Sequence, residues 1–110
     1  MVESSSKRIK LYVGQNGKAP FEEWLYNLRD KVTKARIFAR VDRLRFGYFG
    51  DCKSVGSGVL ELRIQFGPGY RIYFVVVGAD VVLLLLGGDK SSQWKDIQLA
   101  QKYWKGFKSG

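Results

Sequence analysis

From Leu60 the apolar residues fall on every second position. Leu60, Leu62, Ile64 and Phe66 alternate with Glu61, Arg63 and Gln65, the chain turns through Gly67, Pro68 and Gly69, and Tyr70, Ile72, Phe74 and Val76 alternate with Arg71, Tyr73, Val75 and Val77. A period of two sends successive side chains to opposite faces of a strand, so this stretch predicts an antiparallel hairpin. The unbroken run from Val81 to Leu86 has the two-sided apolarity of a central strand with helices on both faces. Nearer the start, Ile9, Leu11 and Val13 alternate with Lys10 and Tyr12 ahead of a Gly14 to Gly17 turn, which predicts a first strand.

Elsewhere the period is helical. Pro20 suits a first helical turn, and Phe21, Trp24, Leu25 and Leu28 follow at i, i+3, i+4 and i+7, with Glu22 and Glu23 at the positive N-terminal end. A second helix is predicted from about Lys31 to Tyr48, its apolar face made by Ile37, Val41, Leu44 and Tyr48 with Phe38 beside them, and Gly47 and Gly50 closing it. Gly87 to Ser92 read as a loop leading to a last helix, which Ser91 or Ser92 caps and which buries Ile97, Ala100 and Trp104. The order is β-α-α-β-β-β-α. It describes an α+β domain: a twisted, mainly antiparallel sheet with two N-terminal helices packed on one face and a C-terminal helix. No repeat or linker divides residues 1–110, so one domain with a core over about 7–105 is expected, with Ser4 to Ser6 and Lys105 to Gly110 as frayed ends.

Charge narrows the partners. Nineteen Lys and Arg against ten Asp and Glu give +9 in 110 residues, which favours a negatively charged partner, nucleic acid first. With no His and Cys52 as the single cysteine, Ser-His and Cys-His nucleophilic sites and the usual zinc ligand sets cannot be assembled. No metal or cofactor is expected, and Cys52 reads as a bystander. The start of the chain lacks a signal-peptide core and no aliphatic run approaches a membrane span, so the expected location is the cytoplasm with no membrane partner.

The candidate chemistry lies in the hairpin. Pairing its strands brings Arg63 and Arg71 onto one face, and the strand ending at Gly87 and Gly88 carries Lys90 to the same edge. The bland alternatives are Arg63 paired with Glu61 or with an acid on a neighbouring strand, and Lys90 solvated in a loop. A converged cluster suits cleavage of a phosphodiester by its own ribose 2′-hydroxyl, because guanidinium forks match phosphate oxygens and stabilise a dianionic phosphorane. Without His, a Lys, an acid such as Glu61 or Asp89, or a tyrosine such as Tyr73 is left to move or support the protons. The alternation puts Arg71 on the accessible side of the sheet, where its loss is expected to cost no more than about 1 kcal/mol of stability. Arg36, Arg40 and Arg43 share a stripe on the second helix, either a solvated face or a docking face for RNA or an acidic partner.

Residues 58–74 (GVLELRIQFGPGYRIYF) and 84–93 (LLLGGDKSSQ), together with 19–25 (APFEEWL) and 50–56 (GDCKSVG), resemble the RelE/ParE superfamily of toxins, within it the HigB-like addiction module killer group. The similarity runs from about Ile9 to Trp104. It implies a RelE-like fold and a metal-independent endoribonuclease that cuts mRNA in the ribosomal decoding site. It also implies a cognate antitoxin, HigA-like with a helix-turn-helix, and contact with operator DNA only through that antitoxin. Arg71 matches the motif arginine that contacts the scissile phosphate, Arg63 a strand position that is basic in several members, and Lys90 the basic loop before the last helix. Lys53, Ser92 and Gln93 lie in the matched stretches and join Arg36, Arg40 and Arg43 as candidates for binding RNA or a partner. The catalytic His of some members and the C-terminal catalytic Tyr of others have no counterpart here. The alternatives are a ParE-like inhibitor of DNA gyrase and a catalytically silent module that binds antitoxin and represses an operator.

Overall fold

The alternating segments pair into one sheet of order β1-β5-β4-β3-β2, in which β1 runs parallel to β5 and the other neighbours are antiparallel. The computed structural model describes residues 6–110. Its strands are β1 (Arg8–Leu11), β2 (Cys52–Ser54), β3 (Leu60–Ile64), β4 (Tyr70–Val77) and β5 (Val81–Asp89). Its helices are α1 (Pro20–Asn27), α2 (Lys31–Leu44) and α3 (Gln93–Ser109), the last preceded by a 3-10 turn over Lys90–Ser92. Among the described residues no helix is long and apolar enough to cross a membrane.

The expected α+β architecture is observed, with apolar layers on both faces of the sheet. Phe21 and Leu25 of α1 and Ile37, Val41 and Leu44 of α2 pack on Leu62, Ile64, Ile72, Phe74, Val82 and Leu84. On the other face Tyr73, Val75, Leu83, Leu85 and Leu86 meet Ala100 of α3, flanked by Ile97 and Trp104. Leu85 and Leu86 share this face because the β4–β5 register shifts between Tyr73 and Phe74, a bulge that reverses the alternation beyond it.

Several boundaries differ from the sequence reading. Asp30 caps α2 by accepting from the Val32 and Thr33 amides, but the helix ends at Leu44, and Tyr48 and Phe38 stand 69% and 59% exposed instead of joining the buried face. Gly47 has φ +81, so the chain leaves the helix before Tyr48 can align. A short edge strand, β2, extends the sheet beyond the hairpin. Gly87 and Gly88 belong to β5, not to a loop. The C-terminal segment from Lys105 is helical to Ser109, with Phe107 stacked on Trp104. Of the Ser4 to Ser6 run, Ser4 and Ser5 lie outside the described residues. Cys52 is half-buried, and burial, then Asp51 and Glu61, push its thiol up, which suits an inert side chain.

Candidate functional site

The hairpin register sets Arg63 directly across from Arg71, and Arg71 in turn lies opposite Gly88. At the open end the Lys90 amide donates to the Gly69 carbonyl at 3.0 Å, tying the start of the 3-10 turn to the hairpin tip. Gly67 and Gly69 make that tip with φ of +58 and +82, a left-handed geometry that favours glycine. Arg63, Arg71 and Lys90 therefore line one open cleft of about 440 Å³, with Gln65, Phe66 and Tyr70 in its walls. The expected convergence of the three cations is present.

Beneath them lies Glu61, fully buried. Its Oε1 accepts from Arg63 Nε at 3.1 Å, and its Oε2 accepts from the Gln93 amide at 2.9 Å and the Tyr73 hydroxyl at 3.0 Å. Arg71 Nε sits 3.6 Å from the same Oε2, an ion pair without a hydrogen bond. Burial pushes the Glu61 carboxyl up, but the bonds from Gln93, Arg63 and Tyr73 and the charge of Arg71 outweigh it and hold the group below its ordinary value. Burial, then the Glu61 charge, drives the Tyr73 phenol well above its usual range and keeps its proton in place.

This geometry corrects the side-chain placement. The second face of the hairpin is covered by α3, so the Arg71 side chain is only 11% exposed and is not the surface group expected. Its removal would leave a buried carboxylate with one partner fewer, so a loss above about 1 kcal/mol is expected in place of the surface-site figure. Arg63 does pair with Glu61 yet keeps 32% of its side chain exposed toward the cleft, so the structural and functional readings of this residue coexist. Glu61 and Tyr73 are fully buried, so neither presents a side chain to the open cleft.

The start of α3 is also organised differently. Neither serine side chain caps the helix: the Asp89 carboxylate accepts from the Ser91 amide at 2.9 Å and its hydroxyl at 2.6 Å, a capping role. Ser92 instead donates to Asp96 Oδ2 at 2.5 Å. Asp96, not singled out in the sequence, is buried over Gly88, and burial pushes its carboxyl up against the opposing Ser92 bond. The signal available was a serine four residues before an acid on one helix face.

Around the cleft the basic candidates divide. The Arg36 guanidinium lies 4.1 Å over the Phe66 ring, and Arg40 Nη1 donates to the Arg63 carbonyl at 3.3 Å, so both reach the hairpin. Arg43 is exposed on α2, away from those contacts, and Lys53 is exposed on β2, opposite Glu61 in the register.

Acid should unfold the protein partly through Glu61. Its native value is depressed, so its contribution is complete above the unfolded value of 4.5 and is lost as pH falls from there through the native value. Asp96 acts in the opposite sense, its neutral form being favoured in the folded chain. Melting temperature followed across that range should fall less steeply in Glu61→Gln than in the wild type; identical slopes would remove Glu61 from the account.

A family model described as phage-derived protein Gp49-like matches residues 23–105. An uncharacterized protein of Haemophilus influenzae is 52% identical over 81 residues, covering 74% of this chain and 82% of that protein. The family model takes in α2, the hairpin, β5 and most of α3, and so every residue of the cleft.

Proposed function

The chain belongs to the Gp49-like family of phage-derived proteins, and we propose that it is the toxin of a toxin–antitoxin pair, cutting mRNA in the ribosomal decoding site. The observation that carries this reading is the convergence of Arg63, Arg71 and Lys90 on one cleft at the hairpin tip. The RelE/ParE resemblance of the same residues agrees with it.

In this reading the arginines hold the scissile phosphate through their Nη edges. As the ribose 2′-oxygen bonds to phosphorus and its proton leaves to solvent, they take up the charge that develops on the phosphorane oxygens. The P–O5′ bond then breaks, and the exposed Lys90 ammonium gives a proton to the departing oxygen. The products are a 2′,3′-cyclic phosphate and a 5′-hydroxyl. The +9 charge both draws the protein to RNA and speeds capture by an acidic antitoxin segment.

Brief expression without a partner should arrest bacterial growth and create new mRNA 5′ ends inside coding regions within minutes. Accumulated gyrase–DNA cleavage complexes with intact mRNA would replace this reading with gyrase inhibition. Full growth with no new ends would favour the silent binding module.

A further inference from the structure

We propose that Glu61 is a positioning residue, which aims the two cleft arginines at a single phosphate by holding both through Nε. This rests on the phosphodiester reading of the cleft and adds the part that sets its geometry. A fully buried carboxylate is a poor choice for stability alone, since apolar residues of similar volume commonly hold a core as well or better. Here the charge sits midway between the two arginines. Oε1 takes Arg63 Nε at 3.1 Å, and Oε2 faces Arg71 Nε at 3.6 Å. Among the described residues, the side-chain hydrogen bond of Arg63 and the ion pairs of both arginines run through Nε, that of Arg71 without a hydrogen bond. A guanidinium anchored at Nε keeps its Nη1/Nη2 edge free, and that edge matches two phosphate oxygens.

The carboxylate is itself held from two elements. Tyr73 of β4 and Gln93 of α3 both donate to Oε2, so the carboxylate cannot rotate without breaking a bond to the sheet or the helix. Gln93 comes from the first turn of α3, so the arginines' alignment depends on how that helix seats against the sheet. A catalytic constellation needs this second layer, because a guanidinium free to swing loses most of its advantage over water.

Two variants separate positioning from plain support of the fold. Glu61→Gln keeps the shape and removes the charge; Gln93→Ala keeps every charge and removes one bond that fixes it. Single-turnover cleavage on programmed ribosomes should fall roughly 100-fold in Glu61→Gln, the loss a small misplacement of reacting groups causes. It should fall roughly tenfold in Gln93→Ala, as when an outer partner of a functional group is lost. Ribosome affinity should stay within about twofold in both, since phosphate alignment and not docking is lost. The arginine Nε–Hε resonances give a readout without substrate. In the wild type the Arg63 resonance, hydrogen-bonded to Glu61, should be slow to exchange, and in Glu61→Gln it should exchange like free arginine while the amide spectrum stays folded.

Wild-type cleavage rates in folded Gln93→Ala, or a protected Arg63 Nε–Hε resonance in Glu61→Gln, would overturn the inference. If Glu61→Gln fails to fold, Gln93→Ala decides. A wild-type protein that cuts nothing, with resonances that respond as expected, would instead condemn the nuclease reading and leave the alignment standing.

Discussion

Arg71→Ala should lower single-turnover mRNA cleavage by two orders of magnitude or more, the usual cost of one preorganised donor to a developing oxyanion, about 100-fold. It should also lower stability by about 2 kcal/mol. The side chain is 11% exposed and its Nε stands 3.6 Å from the buried Glu61 carboxylate, which then rests on Arg63, Tyr73 and Gln93 alone. Those three remaining donors keep the penalty below that of a fully orphaned charge. Arg71→Lys restores a cation but not the planar fork, so it should recover part of the stability and little of the rate. Melting temperature and cleavage measured on both variants distinguish the roles. A folded Arg71→Ala protein cutting at the wild-type rate would remove Arg71 from catalysis, and stability and rate recovering together in Arg71→Lys would reduce it to a structural ion pair.

The largest stability effect away from the cleft is expected at Gly87. A Cβ there would lie inside van der Waals distance of three Trp24 ring atoms, and the indole is already packed against Phe21 and Tyr70 at centroid distances of 5.8 and 6.2 Å. Relief therefore requires α1 to lift from β5. Gly87→Ala should cost about 3 kcal/mol, at the upper end of overpacking penalties, and lower the melting temperature by roughly 13 °C. Gly106→Ala is the control, because nothing approaches its Cβ and a helix interior gains about 1 kcal/mol from alanine. Trimming the ring should relieve the clash, so Gly87→Ala combined with Trp24→Leu should cost less than the sum of the two single changes. Additive losses would show that α1 does not bear on Gly87.

The same glycines mark where local sequence stops being informative. Alternation was enough to place β4 over Tyr70–Val77 and to put Arg63 and Arg71 on one face. The expected Gly67 to Gly69 turn would have set Arg63 across from Tyr73, but β3 ends at Ile64, and the five-residue connection 65–69 shifts the register to bring Arg63 opposite Arg71. Gly87 and Gly88 read as a loop because glycine is a weak strand former. They are strand residues here because Trp24 and Asp96 occupy the space their side chains would need. The bulge that puts Leu85 and Leu86 on one face is hidden in an unbroken aliphatic run, where no polar residue records the phase. β2 is three residues long and too short to show a period.

The site was half legible for a related reason. Period two assigns Glu61, Arg63, Arg71 and Tyr73 to one side of the hairpin but does not say what covers that side. α3 covers it, which turns an expected surface into a buried ion network and takes Glu61, a candidate for proton transfer or support, out of reach of solvent. The outer edge of that network, at Lys90 and the exposed parts of Arg63 and Arg71, lines the open cleft.

The most direct test of the nuclease account is the chemistry of the cut ends. Purified protein, ribosomes programmed with a defined mRNA, and a matched mRNA carrying one 2′-deoxy nucleotide at the cut position are sufficient. Fragments ending in 2′,3′-cyclic phosphate and 5′-hydroxyl are expected from the first mRNA and none at that position from the second, since the ribose hydroxyl is the nucleophile. Intact mRNA, or cleavage of the deoxy substrate leaving a 5′-phosphate, would contradict it.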